Sequence, residues 1–171
     1  MLRYILVPLD GSALSEQALQ YATEVIAPDG HIILLSVVEM PSTFEYTLVD
    51  VPMTAVLAQD ITEAEINTTY RRVSDYLENK ARSLRAKGYK VDCETDSGDP
   101  ATVINDVANA KAVDAIVMTT HGRTGLNRWL FGSVTQKVVS NMSRPVMVIP
   151  GTIPEKAEES ARTGQFVEAN T

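Results

Sequence analysis

Five short apolar segments alternate with four segments of helical periodicity, and this alternation constrains the fold most strongly. The clearest apolar segment is HIILLSVV, in which nearly every side chain is apolar. A strand that helices cover on both faces has this composition. The five predicted strands are residues 3–9, 31–38, 89–95, 114–120 and 144–150. The alternation predicts an α/β domain with a parallel sheet.

The four helical segments carry apolar residues three or four positions apart, which places those residues on one face. The first segment follows Ser12, a good N-cap residue, and the third follows Asp99-Pro100, a cap with proline at the first helical position. Residues 28–30, Pro-Asp-Gly, are predicted to end the first helix before strand 2 begins. The fourth helix is predicted to start at Gly132-Ser133 and to bury Val134, Val138 and Val139.

The connections between the strands predict a topology and the position of a site. Right-handed crossovers wind the sheet first one way and then the other around the first strand. We therefore expect an open, doubly wound, Rossmann-like sheet of five parallel strands in the order 3-2-1-4-5, with helices on both faces. Ligands bind such sheets beyond the carboxyl ends of the strands, where the winding reverses. Here that point lies between strands 1 and 4.

The domain is expected to span residues 1–150. Within it, residues 39–60 contain two prolines and no sustained periodicity, and we interpret them as a surface insertion. Residues 151–171 are polar and acidic, and we expect them to form a C-terminal tail.

Composition excludes several classes of protein. The net charge of −7 argues against nucleic-acid binding and requires local donors for any anionic ligand. No apolar run reaches 18 residues, so we expect no membrane span. Cys93 is the single cysteine, so an internal disulfide is excluded. The N-terminal residues lack the features of a signal peptide, and we expect a cytoplasmic protein.

The segment TTHGRTGLNRWLFGSVTQ follows the fourth strand and combines glycines, arginines and hydroxyls. Gly122 allows a close backbone approach or a positive φ angle. A helix that begins at Gly132 presents N–H groups and a dipole that favour an anion. Ser133 and Thr135 add hydroxyls, and Arg123 can pair with phosphate. In the alternative interpretation, the glycines serve turns and Ser133 caps the helix.

The segments ILVPLDGSALSEQAL, DAIVMTTHGRTGLNRWLFGSVTQKVV and RPVMVIP resemble the universal stress proteins of the nucleotide-binding type over about residues 1–150. The ATP signature of that family is G-x2-G-x9-G-[ST]. The chain matches it at Gly122, Gly132 and Ser133, but Thr119 replaces the first glycine. The resemblance implies a stress-response regulator that binds ATP, with Mg²⁺ or Mn²⁺ as its counter-ion, and that hydrolyses it slowly if at all.

The resemblance also implies roles for individual residues. Asp10 would contact the adenosine, and Val37 and Val38 would flank the adenine. The ribose and phosphates would lie along Met118 and the glycine-rich segment, held largely by backbone N–H groups. The resemblance implies no catalytic residue and no protein metal ligand. The complete predicted site is Pro8, Leu9, Asp10, Val37, Val38, Met118, Thr119, Gly122, Arg123, Gly125, Gly132, Ser133, Val134 and Thr135.

The last predicted strand, RPVMVIP, is an apolar edge strand with unpaired backbone groups. Together with the resemblance, it predicts a two-fold homodimer in which Val146 and Val148 meet their mates in antiparallel strands.

Two other functions stay open at this point. The chain could be a dimeric interaction scaffold whose nucleotide site is silent because of Thr119. It could also be a phosphotransfer enzyme with Asp10 as a phosphoryl acceptor. Phosphatases of that kind need a second aspartate two residues further on, where this chain has Ser12.

Overall fold

A computed structural model describes residues 1–38, 63–121, 132–142 and 144–151 of the chain. The strands are β1 (Leu2–Pro8), β2 (Ile26–Val38), β3 (Lys90–Ser97), β4 (Ala115–His121) and β5 (Val146–Gly151). The helices are α1 (Ala13–Val25), α2 (Glu63–Arg85), α3 (Pro100–Ala110) and α4 (Ser133–Asn141). All strand pairs are parallel, and their order is β3-β2-β1-β4-β5. The predicted fold class and strand order are confirmed. The predicted insertion lies outside the described residues, as does the predicted tail beyond Gly151.

The start of β2 differs from the prediction. The strand begins at Ile26, so the Pro-Asp-Gly segment lies inside it rather than before it. Leu2 pairs with Ile26 but Tyr4 pairs with His31, so the register shifts between these two pairs. Pro28 is exposed at this irregularity. A local irregularity in strand pairing depends on the neighbouring strand, and turn residues in the sequence do not reveal it.

Each face of the sheet has its own hydrophobic core. On the first face, α1 and α2 pack against β1 and β2, and the buried residues include Ile5, Val7, Ala22, Ile32, Leu34, Leu77 and Ala81. On the second face, α3 and α4 pack against the same sheet, and the buried residues include Leu6, Ile33, Leu35, Ile104, Ile116, Met118 and Val138. Full burial of one leucine or isoleucine stabilises the fold by about 1.5–3 kcal/mol. The two cores hold the carboxyl ends of the strands in fixed relative positions.

The predicted inner face of α4 is wrong at one residue. Val138 is fully buried and Val134 is half-buried, but Val139 is 42% exposed. Successive residues of an α-helix are separated by about 100° around its axis. Val139 therefore turns away from the face that Val134 and Val138 share.

The longest described helix, α2, has 23 residues and ends with arginines in its last turn. Its buried face consists of Leu77, Ala81 and Leu84. Among the helices that the structure describes, none combines the length and apolar character that a membrane span requires.

Candidate functional site

A cavity of about 320 Å³ opens beyond the carboxyl ends of β1 and β4, where the winding of the sheet reverses. Small-molecule sites have volumes of this order, about 300–1,000 Å³. The predicted site residues that line it are Pro8, Leu9, Asp10, Val37, Met118, Thr119, Gly132, Ser133, Val134 and Thr135. The structure thus brings residues from four separate parts of the chain to one cavity.

Among the described residues of the predicted site, Val38 does not line this cavity. Val38 is the last residue of β2, and its carbonyl oxygen accepts a hydrogen bond from the N–H of Gly98 at 3.3 Å. The carbonyl oxygen of Val38 is therefore already engaged by the loop after β3. Three other residues of the predicted site, Gly122, Arg123 and Gly125, lie outside the described residues.

Sequence reasoning missed six lining residues: Ser12, Leu14, Ser15, Leu35, Pro100 and Ile104. One signal was available for Leu35, because residues two apart in a strand share a face and Val37 was predicted. Another was available for Pro100, because every helix that follows a strand in this fold begins near the carboxyl edge of the sheet. The packing of Ile104 against the site depends on the angle of α3, which the sequence does not reveal.

The loop between β1 and α1 is a compact turn with polar groups at the cavity. Gly11 has a φ angle of +83°, in the region that favours glycine. The carboxylate Oδ1 of Asp10 accepts a hydrogen bond from the N–H of Ser12 at 2.9 Å, and the N–H of Asp10 donates to Ser15 Oγ at 3.3 Å. Ser12 Oγ in turn accepts from the N–H of Ser15 at 3.0 Å, which caps α1.

These contacts determine the charge of Asp10. Burial raises the pKa of its carboxyl group, but the hydrogen bonds from Ser12 and Ser15 and from the backbone outweigh burial and leave the pKa below its usual value. Asp10 is therefore ionised at neutral pH. A carboxylate accepts hydrogen bonds from hydroxyl or N–H groups of a ligand and repels phosphate.

The N-terminus of α4 forms the opposite side of the cavity. Gly132 is the N-cap residue, with φ −59° and ψ 158°, and no side chain caps the helix. The first helical hydrogen bond runs from the N–H of Gln136 to the oxygen of Gly132 at 2.9 Å. The N–H groups of Ser133, Val134 and Thr135, which we call the α4 amides, consequently have no partner among the described residues. They carry the partial positive charge of the helix N-terminus.

The walls between these two polar sides are mainly apolar. They are formed by Leu35, Val37, Ile104, Met118 and Val134. In the described part of the chain, no group of three or more His, Cys, Asp or Glu residues could hold a metal ion. The arrangement suits a ligand with a flat apolar part, hydroxyl groups at one side and an anionic group at the other.

Comparison with known proteins places the chain in a family. The model of the universal stress protein family matches residues 1–150. The chain belongs to the universal stress protein family. Universal stress protein MJ0531 of Methanocaldococcus jannaschii is 30% identical over 146 residues, which cover 85% of this chain and 80% of that protein.

Two solved structures show the same fold. The structure of MJ0577 from Methanocaldococcus jannaschii superposes with a TM-score of 0.70 at 28% identity, over 90% of this chain and 99% of that one. A universal stress protein of Arabidopsis thaliana, solved with AMP bound, has a TM-score of 0.60 at 18% identity, over 93% of this chain and 98% of that one.

In this universal stress protein, Thr119 stands at the first glycine of the nucleotide signature. Side chains alternate between the two faces of a strand, and Val117 packs in the core beside α1 whereas Met118 packs in the core beside α4. The side chain of Thr119 is therefore on the α1 side of β4. The carbonyl oxygen of Thr119 accepts a hydrogen bond from Thr135 Oγ1 at 3.4 Å. The extra side chain thus lies on the face of β4 opposite to the one that packs against α4.

Proposed function

We propose that the chain is a regulatory stress-response protein that binds ATP in the cavity between β1 and β4. The observation that carries this proposal is the set of unpartnered α4 amides at the cavity, in a chain whose net charge is −7. An acidic chain repels anions in general, so an anion needs fixed local donors of this kind. The regulatory output would come from the difference between the ATP-bound and ATP-free states.

The two polar sides of the cavity assign an orientation to the ligand in this proposal. The phosphates would bind the α4 amides and the hydroxyl of Ser133. The ribose hydroxyls would donate to the carboxylate of Asp10, which is ionised and accepts hydrogen bonds only. The adenine would lie between apolar side chains such as Val37 and Ile104. The AMP bound to the Arabidopsis relative supports the choice of an adenine nucleotide.

The hydrogen-bond donors of the cavity also indicate how a metal ion would be held. The described polar groups beside the α4 amides are N–H groups and hydroxyls without a carboxylate, a set that favours phosphate oxygens over a metal ion. We infer that Mg²⁺ or Mn²⁺ would enter with the ATP and be held mainly by its phosphates. The role of the chain's own residues would be to bind and orient the nucleotide.

We further propose that two copies of the chain associate through β5. This strand pairs only with β4 in the described sheet, so its other edge has free backbone donors and acceptors. Val146 and Val148 are half-buried on it. Antiparallel pairing of two β5 strands would give a closed two-fold dimer.

The substitution Gly132→Val tests the nucleotide site. The φ and ψ angles of Gly132 are accessible to any residue, so the variant is expected to fold. Its branched side chain would occupy the space in which phosphate meets α4. We expect the affinity for ATP to fall by about 2–4 kcal/mol, the scale of lost charge-assisted contacts. Calorimetric titration of the wild type and the variant measures the difference.

Adenosine is the control ligand for this titration, because it lacks the phosphates. The variant should bind adenosine like the wild type. Equal affinities of the two folded proteins for ATP would contradict the proposed site. A wild type that binds neither ATP nor adenosine would favour the interaction scaffold with a silent nucleotide site.

A further inference from the structure

A buried threonine outside the predicted site contacts the start of α4. We propose that the hydroxyl group of Thr120 is a positioning group that holds the α4 amides in place for phosphate. This inference rests on the proposed function. Thr120 does not line the cavity and would not touch the ligand.

The position of Thr120 in β4 is one where an apolar residue is expected. Ile116 and Met118 precede it on the same face of the strand and are buried in the core beside α4. Thr120 is only 5% exposed. Burial of a hydroxyl group costs free energy unless a hydrogen bond compensates for it. A threonine at this position therefore needs a partner within the fold.

That partner is the first residue of the α4 turn. The N–H of Gly132 donates a hydrogen bond to Thr120 Oγ1 at 3.3 Å. Gly132 has no side chain that could cap the helix. Its N–H is instead hydrogen-bonded to the neighbouring strand β4. One of the four free N–H groups at the start of a helix is thereby satisfied by β4, and the α4 amides are left for the ligand.

A second hydrogen bond joins the same two elements, again with its donor in α4 and its acceptor in β4. Thr135 Oγ1 donates to the carbonyl oxygen of Thr119 at 3.4 Å, and Thr135 is 4% exposed. With one bond at Gly132 and another three residues later, the first turn of α4 is attached to the end of β4 at two points. Two points of attachment restrict both the distance and the rotation of this turn relative to the sheet.

The direction of the α4 amides depends on that rotation. Groups that bind a ligand act at full strength only when their geometry is held to within about 0.5 Å and 10–20°. Without the hydroxyl group, the first turn of α4 loses one of its two attachments to β4, and the α4 amides lose their fixed direction. This change weakens the phosphate contacts, whereas the proposed adenosine contacts of Asp10, Val37 and Ile104 are made by other elements.

The experiment compares Thr120→Val, which keeps the shape and removes the hydroxyl, with Thr120→Ser, which keeps the hydroxyl. Affinities for ATP and for adenosine are measured by calorimetry on each full-length protein. We expect Thr120→Val to bind ATP about tenfold more weakly than the wild type and to bind adenosine within about twofold of it. Thr120→Ser should bind ATP within about threefold of the wild type.

Two outcomes would overturn the inference. In the first, Thr120→Val binds ATP as the wild type does. In the second, it loses ATP and adenosine affinity equally, which indicates a general loss of structure. If Thr120→Val does not fold, Thr120→Ala takes its place in the same comparison, because it lacks the hydroxyl and introduces no overlap.

Amide hydrogen exchange separates this inference from the proposed function. The Gly132 N–H should exchange slowly in the wild type and in Thr120→Ser, and at least tenfold faster in the variant without the hydroxyl. This readout needs no ligand. A wild type that binds no ATP would contradict the proposed function, whereas equal exchange rates at Gly132 would contradict the role of Thr120.

Discussion

The carboxylate Oδ2 of Asp114 accepts a hydrogen bond from the backbone N–H of Arg3 at 2.8 Å, across 111 residues of sequence. The same oxygen accepts from the N–H of Tyr4 at 2.9 Å. Asp114 directly precedes β4, and the two N–H groups belong to β1, so this carboxylate joins the amino ends of the two strands whose other ends form the cavity. These backbone hydrogen bonds, with Arg144 and Arg3 nearby, hold the pKa of Asp114 below its usual value of 3.8.

A lowered pKa in the folded state predicts a pH dependence of stability. The folded protein favours the ionised form of Asp114. The contribution of Asp114 to the free energy of unfolding is therefore present above the unfolded-state pKa and is lost as the pH falls through the folded-state pKa. We expect Asp114→Asn to reduce this loss between about pH 5 and pH 2, because its amide oxygen still accepts hydrogen bonds but does not titrate. Urea unfolding of both proteins across this range measures the effect. Parallel curves of unfolding free energy against pH would contradict it.

The position of Thr119 predicts the result of restoring the glycine of the family signature. Because the threonine side chain lies on the α1 side of β4, it does not compete with phosphate at α4. We expect Thr119→Gly to leave the affinity for ATP within about threefold, and to lower stability by about 0.5–1 kcal/mol through the added backbone freedom. Calorimetry and urea unfolding give the two quantities. A tenfold gain in ATP affinity would show that Thr119 obstructs the ligand.

The proposed dimer predicts the effect of a charge on the free edge of β5. Val148→Lys would bring like charges together across a two-fold axis and should give monomers in light scattering at about 10 μM, a concentration at which weak specific interfaces form. Tyr21→Lys is the matched control, because Tyr21 is 39% exposed and belongs to α1 rather than to β5. The control should remain a dimer. A wild type with the mass of one chain would contradict the dimer.

Much of the fold could be predicted because it follows from local patterns. For four of the five predicted strands, both the first and the last residue lie within two residues of the observed limits, because apolar runs and turn residues mark these limits. The topology follows from the handedness of the crossovers. The early start of β2 was missed because the irregularity at Leu2 and Tyr4 depends on pairing between strands. The exposure of Val139 was missed because three valines in a nine-residue helix do not all fit one face.

The candidate site was predictable only in part. The spacing of residues indicated an anion site at the start of α4, and the resemblance to a family supplied individual roles on β1 and β2. Neither source indicated that Thr120 contacts Gly132, because that hydrogen bond joins positions twelve residues apart through the packing of α4 on β4. Nor did they indicate that the carbonyl oxygen of Val38 accepts a hydrogen bond from the N–H of Gly98.

Equilibrium dialysis measures whether one chain binds one ATP. Protein freed of bound nucleotide is dialysed against ATP with Mg²⁺ at increasing concentrations up to about 1 mM, which corresponds to a binding free energy of about −4 kcal/mol. We expect saturation at one ATP per chain and displacement by excess adenosine, which shares the proposed base and ribose contacts. Equal ATP concentrations on both sides of the membrane throughout the series would contradict the proposed function.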